Sequence, residues 1–386
     1  MNVALVHLRH RETGGTERYL NQVAAHLAEH GHAVTVVCRS HERPPHPGVR
    51  FVVLRSLCVG ATWRMWAFAQ AVERHVRLVP YDIVFGLGRT WSQDVIRLGG
   101  GCEQTYLDLA HPHTLRPWER IIGHGRLRHR LSMAIERRAL RPGAYTRVIT
   151  NSAMVKRDVI SRYAVPEEKV AIIYNGVDLE RFHPRQRDDR GAELRRACGF
   201  RAGDFVVLFL GTGYGRKGLQ RILRVFPALV RERSGARLLV VGYDSSQPAF
   251  ERQAADLGIH SQVRFLGGRR DAEACFGAAD VYVLPTYYDP FANSTLEALA
   301  SGLPVITTAT NGASELLTHH VEGSILPRDA GNEALLRELL VWADHERTRD
   351  GGQAARRLAE RHPQEETARA STEVLEGAWV EKHAGR

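Results

Sequence analysis

The stretch Pro285-Thr-Tyr-Tyr-Asp-Pro-Phe-Ala-Asn-Ser-Thr-Leu-Glu-Ala-Leu-Ala-Ser-Gly-Leu303 decides how the chain is read. An apolar run, Val281–Leu284, precedes it and reads as a buried strand. A helix over roughly Ser294 to Ala300 ends it, closed by Ser301-Gly302. A strand end therefore feeds a short loop, and the loop feeds a helix N-terminus. In an open α/β sheet ligands bind at such a place, and the free N–H groups of a helix start favour anions. Asp289 in the loop and Glu297 on the helix lie eight residues apart, so both can face a ligand docked over the helix start.

Outward from this stretch, the second half of the chain reads as strands alternating with helices. Strand-like runs fall at Val206–Leu210, Leu238–Val241, Val263–Leu266, Val305–Thr308 and Ser324–Leu326, with helices at about Leu219–Arg233, Pro248–Leu257 and Ala272–Ala278. The first half has the same plan, with strands at Asn2–His7, Ala33–Cys38, Val49–Leu54, Ile83–Leu87, Val148–Thr150 and Val170–Tyr174. Between the first two, Leu20, Val23, Ala24 and Leu27 recur at helical spacing over Glu17–His30, and Gly31 ends that helix. This alternation predicts α/β architecture, with parallel sheets covered on both faces. The expected division is a Rossmann-like domain over 1–175, a second over 176–363, and a C-terminal helix within 364–386 packing back on the first. The hinge is expected near Tyr174-Asn-Gly-Val-Asp178, ahead of the polar stretch Phe182–Arg196.

At 386 residues, two separate cores are affordable, and the 44% apolar content is ordinary for a soluble protein. No run approaches the roughly 20 apolar residues of a membrane span. The opening residues, Met1-Asn-Val-Ala-Leu-Val-His7, enter directly as a strand, which predicts a cytoplasmic protein without a signal peptide. Five scattered cysteines (38, 58, 102, 198, 275) without a CxxC suggest neither a disulfide framework nor a zinc site. The net charge of +10 admits phosphate-rich ligands, nucleic acid or an anionic membrane surface.

Several stretches could carry chemistry. Gly14 and Gly15 follow the first strand and open the first helix, where glycine lets backbone N–H groups come close to a phosphate. Gly211-Thr-Gly-Tyr-Gly-Arg-Lys-Gly218 occupies the matching place in the second half and adds two cations, Arg216 and Lys217. Lys217 is followed by Gly218 rather than Ser or Thr, so this is not a P-loop; its natural partner is a diphosphate. Asp94 follows the strand Ile83–Leu87, which places it at a C-terminal sheet edge, either facing a cleft or as a solvated loop residue. His111 and His113 read as loop residues rather than metal ligands. No Asp-x-Asp occurs, so no usual carboxylate pair is present to hold a divalent ion on a nucleotide diphosphate. Residues 114–142 form a basic insertion in which Arg116, Arg120, Arg126, Arg128 and Arg130 alternate with Trp118 and aliphatic residues. It reads either as a membrane-surface helix or as a helix packing one apolar face on its own domain.

Taken together and in this order, these motifs resemble the retaining glycosyltransferases of family 4, with their twin-Rossmann, B-type fold. The resemblance rests on Gly14-Gly15, Asn175-Gly-Val-Asp178, Gly215-Arg-Lys-Gly218, and Asp289 followed by Glu297-Ala298 and Gly302-Leu-Pro304. Gly268-Arg-Arg-Asp271, Asp94 and the basic insertion bring it nearest to the lipopolysaccharide core enzymes that add glucose to inner-core heptose. It implies that Glu297 accepts hydrogen bonds from the donor ribose, that Arg216 and Lys217 hold the diphosphate beside Gly213, and that Gly15 approaches it from the first domain. It further implies that the backbone near Gly268, Arg269 and Arg270 holds the base, and that Asp289, Phe291, Ala292, Asn293 and Ser294 lie by the sugar. The chain departs from the family where Asp289 replaces the usual Glu, Ala292 the usual Gly, and Asn293 and Ser294 common aliphatics.

The expected activity is retaining, metal-independent transfer of a hexose from a nucleotide-diphosphate sugar, UDP-glucose or a related UDP-sugar, to a surface-glycan hydroxyl. No cofactor is implied. The expected catalytic set is Asp94, Arg216, Lys217 and Asp289. The partners implied are the UDP-sugar, a glycolipid or oligosaccharide acceptor and the anionic inner face of the cytoplasmic membrane. A sugar-nucleotide epimerase of the same architecture is the alternative. A nucleic-acid binder is disfavoured because basic strands interleaved with aromatics, helix-turn-helix, zinc and zipper signatures are all missing.

Overall fold

The computed structural model describes residues 1–10, 14–42, 46–55, 60–110 and 126–384. Met1–Asp108, Leu115–Asn175 and Gln364–Arg386 group as one compact unit, and Gly176–Pro363 make up the body of a second.

The first unit is built on seven parallel strands: β1 (Asn2–Val6), β2 (Ala33–Cys38), β3 (Val49–Val53), β4 (Ile83–Gly86), β5 (Val95–Arg97), β6 (Arg147–Thr150) and β7 (Val170–Ile172). They lie in the order β3-β2-β1-β4-β5-β6-β7. Alternation along β1 shows how the sheet is covered. Val3 and Leu5 enter one core with Leu20, Val23 and Leu27 of the helix Gly15–Glu29 and with Leu375 and Ala378 of the C-terminal helix Gln364–Ala384. Ala4 and Val6 enter another with Phe68 and Val72 of the helix Ala61–Leu78. The C-terminal helix is tied down by Tyr19 Oη to Ser371 Oγ at 2.7 Å and by Thr367 Oγ1 donating to Tyr174 O at 3.0 Å.

The second unit has six parallel strands: β8 (Phe205–Leu210), β9 (Ala236–Val241), β10 (Val263–Phe265), β11 (Val281–Leu284), β12 (Val305–Thr308) and β13 (Gly323–Leu326). Their order is β10-β9-β8-β11-β12-β13. Every residue of β11 and β12 is buried, as expected for strands sandwiched between helix layers. In both sheets the first strand of the unit has its neighbours on either side run in opposite senses of winding. The switch points are β1/β4 and β8/β11, and the carboxyl ends of those strands open the crevice where doubly wound sheets bind ligands.

Two sequence expectations change. Strand β5 was not foreseen: three residues, Val95-Ile-Arg97, are too short to show a period. The polar stretch expected to break the pattern, Phe182–Arg196, instead carries the 3-10 turn Pro184–Arg187 and most of the helix Arg190–Ala197.

Candidate active site

The chemistry-bearing residues of the second unit converge at the β8/β11 switch point. From β8 the chain passes Gly211 to Gly213, whose φ of 84° suits glycine, and makes a single helical turn, Tyr214–Lys217. Gly218 follows at φ 82°, where an added Cβ would lie 2.1 Å from the carbonyl oxygen of Pro285. The glycine thus lets the loops after β8 and β11 touch backbone to backbone. Tyr287 N and Thr286 Oγ1 both donate to Arg216 O, at 3.0 and 3.1 Å, and lock that contact. Gly211 makes room in the same way: a Cβ there would meet Lys217 Cδ at 2.5 Å. Tyr214 N donates to Asp244 Oδ2 at 2.6 Å and fixes the turn from the β9 side.

Arg216 and Lys217 both turn toward Asp289. Arg216 Nη1 donates to Asp289 Oδ2 at 2.9 Å and to Tyr288 O at 2.8 Å, and Lys217 Nζ lies 3.2 Å from the same carboxylate oxygen. Lys217 and Asp289 are buried, at 9% and 7% exposure. Burial by itself pushes the Asp289 carboxyl up, but Lys217 and then Arg216 outweigh it and hold the group down at about 2. Burial pulls the Lys217 ammonium down, against the opposing charge of Asp289. Glu297, also buried, sits on the helix Asn293–Ala300 and its charge acts on Lys217 as well.

The helix start is held by a residue the sequence reading did not single out. Asn311 Oδ1 accepts from Ala292 N at 3.1 Å, and its Nδ2 donates to Thr295 Oγ1 at 2.9 Å and Thr307 Oγ1 at 3.0 Å. Its neighbours pin the loop: Asp289 N donates to Thr310 O and Gly312 N to Asp289 O, both at 2.9 Å. An Asn in Ala-Thr-Asn-Gly carries no signal of this reach, because its partners are up to 19 residues away. Phe291 and Ala292 are buried beside it. The Ser294 hydroxyl is not presented at the helix start as expected; it lies 2.7 Å from Tyr282 Oη, deep between β11 and the helix. The side chain of Arg269 donates through Nε and Nη2 to Asp271 at 2.9 and 2.6 Å, which leaves the expectation for its backbone as it was. Gly268 lies beside Tyr243, and Gly267 accepts from Gly242 N at 2.8 Å, which joins the ends of β9 and β10.

In the first unit, Gly14 (φ 126°) and Gly15 open the helix Gly15–Glu29 without a side-chain cap. A pocket of about 610 Å³ lies at this unit's carboxyl edge, lined by His7, Thr16, Glu17, Arg89, Arg97 and Glu136 among others. Sequence reading missed it because Arg97 ends the strand that went unseen.

Asp94 requires a correction. It directly precedes β5, at the amino edge of the sheet rather than the carboxyl edge. Its Oδ2 accepts from Val84 N at 2.8 Å and from Lys382 Nζ at 3.0 Å, so it fastens β4 and the C-terminal helix. The chain has returned across the sheet between Leu87 and Asp94, which is why placement by distance from β4 fails.

Of the basic insertion, Arg116, Trp118 and Arg120, like His111 and His113, lie outside the described residues, and Arg126 is described only as the first residue of the helix Arg126–Ala139. That helix packs one face on its own unit through Ile135 and Ala139, with Arg138 on Glu73, and leaves Arg128 and Arg130 exposed. Among the described residues one group could gather metal-ligand atoms: His319, His320 and Glu338, within 4.8 Å of one another. It lies before β13, at the edge opposite the candidate site. His320 is paired with Glu338 at 2.9 Å, and His319 Nδ1 accepts from Ile325 N.

Comparison with known proteins agrees with this architecture. A family profile described as Glycosyltransferase Family 4 matches residues 13–181, and one described as Glycosyl transferases group 1 matches residues 204–344. The chain is 28% identical over 339 residues to an uncharacterized glycosyltransferase of Methanocaldococcus jannaschii, covering 84% of each. It is 25% identical over 358 residues to the lipopolysaccharide glucosyltransferase WaaG of Escherichia coli, covering 90% of this chain and 93% of that one. The crystal structure of WaaG, a glycosyltransferase involved in lipopolysaccharide biosynthesis, superposes with a TM-score of 0.82 at 23% identity, over 97% of this chain and 99% of that one. Anabaena HepE in complex with UDP-glucose superposes with a TM-score of 0.72 at 19% identity, over 98% of this chain and all of the other (100%). With both units matched in sequence and the B-type fold shared with WaaG, the chain belongs to the family 4 glycosyltransferases.

Proposed function

We propose that this glycosyltransferase moves a hexose from a UDP-sugar to a hydroxyl of a lipopolysaccharide core or other surface glycan, with retention at the anomeric carbon. The observation that carries the proposal is the pair of cations, Arg216 and Lys217, gathered around one buried carboxylate at the β8/β11 switch point. UDP-glucose bound by HepE and the glucosyltransferase description of WaaG support the choice of donor.

In this reading the diphosphate binds over Arg216 and Lys217. As the glycosidic bond breaks, negative charge grows on the leaving phosphate, and these two cations are already in place to stabilise it. No metal is required for that task. Asp289 pairs with both cations before the donor arrives and offsets one of their two charges; when phosphate oxygens take over, its carboxylate is released to accept from a sugar hydroxyl. Glu297 is an acceptor for the two ribose hydroxyls, and bonds to a charged group contribute about 1.5–3 kcal/mol each. The leaving phosphate takes the acceptor's proton. Exposed Arg128 and Arg130 draw the enzyme to an anionic membrane face as a peripheral protein; among the described residues no helix is long and apolar enough to cross a membrane.

The test is incubation of the purified chain with UDP-glucose and surface-glycan acceptors in excess EDTA, with the product's anomeric proton read by NMR. An α-linked product formed at an unchanged rate is expected. A β-linked product, activity restored only by Mn²⁺ or Mg²⁺, or an epimerised nucleotide sugar in place of a glycoside would contradict the proposal.

A further inference from the structure

Arg97 ends β5 and lines the first unit's pocket, yet it is only 6% exposed. Buried charges in proteins are paired, since an unpaired one loses its hydration without return. Arg97 is not. Its Nη2 donates to Asn175 Oδ1 at 2.7 Å and its guanidinium stacks 3.7 Å over the ring of Tyr19, but both partners are neutral. Its Nε is buried without a hydrogen-bond partner, and among the described residues no carboxylate lies within ion-pair distance. The second buried arginine also has no ion-pair partner among the described residues, but Arg221 differs in hydrogen bonding: its terminal nitrogens go to the carbonyls of Pro285 and Ala330, and none of its nitrogens is buried without a partner. Of the other arginines that line the pocket, Arg89 is already matched by Glu103 and Glu136.

The surroundings are arranged for the same purpose. A Cβ at Gly99 would lie 1.9 Å from Arg97 Nη1, so glycine at this position keeps the space the guanidinium occupies. The start of the helix Gly15–Glu29 contributes Thr16 to the same pocket; the negative charge already there, Glu17, lies 3.9 Å from His7 Nε2 rather than against Arg97. His7 lies there too, and burial lowers its pKa, so it adds hydrogen-bonding capacity rather than a second charge at neutral pH.

We propose that Arg97 is the anchor for an oxyanion, a phosphate or carboxylate borne by the acceptor, and hence that the acceptor is an anionic glycan or glycolipid rather than a neutral one. This rests on the glycosyl-transfer reading for the word acceptor; the anion site itself does not. The missing counter-charge of a buried guanidinium is supplied when the acceptor's anionic group enters the pocket, and a bidentate Arg–oxyanion pair sets the orientation of the hydroxyl to be glycosylated.

Inorganic phosphate is the probe. It is titrated by calorimetry into the full chain saturated with UDP, at constant ionic strength in chloride. Wild type is expected to bind phosphate while UDP is bound. Arg97→Gln is expected to bind it at least roughly tenfold more weakly, Arg97→Lys within a few-fold of wild type, and the control Arg50→Gln, an exposed β3 residue outside the pocket, as wild type. UDP affinity is expected to be the same in all four. Equal phosphate binding by Arg97→Gln would overturn the proposal. So would competition between phosphate and UDP, or a fall in UDP affinity in Arg97→Gln, either of which places the anion on the donor. If wild type fails to bind UDP, the glycosyl-transfer reading fails instead, and the phosphate titration without UDP still reads Arg97.

Discussion

Each unit places a buried cationic side chain at the carboxyl edge of its sheet, beyond β8 in the second and at the end of β5 in the first, but the two treat charge in opposite ways. At the carboxyl edge of the second sheet, Arg216 and Lys217 are both paired from within to Asp289. At the carboxyl edge of the first, Arg97 is buried and, among the described residues, has no carboxylate partner. The difference separates two kinds of readiness. An internally paired site is stable when empty and exchanges one set of partners for another on binding. An unpaired site carries an electrostatic cost until its ligand arrives, so it selects strongly for a ligand that carries the missing charge. A shared fold therefore does not imply shared electrostatics, even between the halves of one chain.

The comparison can be broken most sharply at Lys217. If the second site exists to stabilise a leaving phosphate, Lys217→Ala should lower kcat by roughly 10²–10³-fold, the usual loss when one preorganised transition-state partner is removed. Turnover within a few-fold of wild type would remove the cation from the chemistry. Folding, checked by circular dichroism, should survive.

A smaller effect reports the internal pairing itself. The Asp289 carboxyl is held at about 2, below its usual 3.8, so the folded state binds that proton more weakly than the unfolded chain. The stability it contributes is therefore fully present above pH 4 and is lost as pH falls toward 2, a change of about 2 kcal/mol. Urea unfolding of wild type and Asp289→Asn checks this. The stability gap between the two should shrink by about that amount from pH 5 to pH 2. A gap independent of pH would mean that Asp289 is not ionically paired in solution.

Much of this was legible in the sequence, and the reason lies in period and punctuation. Strands such as Val281–Leu284 announce themselves as apolar runs, and Gly213 and Gly218 mark places where the backbone must turn or approach closely. The pair Arg216-Lys217 and the carboxylates Asp289 and Glu297 were readable because each sits one loop beyond a legible strand. What escaped depends on contacts that sequence distance hides. β5 is three residues long, and missing it misplaced Asp94 by the full depth of the sheet and concealed Arg97 altogether. Asn311 acts on a helix 19 residues before it, and the side chain of Ser294 turns inward to Tyr282, neither of which any local pattern encodes.

Nucleotide binding by the second unit is the central requirement, and the most direct measurement is calorimetric titration of UDP into wild type and Glu297→Ala. Wild type should bind, and loss of a charged acceptor for two ribose hydroxyls should weaken binding by about 3 kcal/mol or more, upwards of a hundredfold. Equal UDP affinity in the two proteins, or none in the wild type, would contradict it.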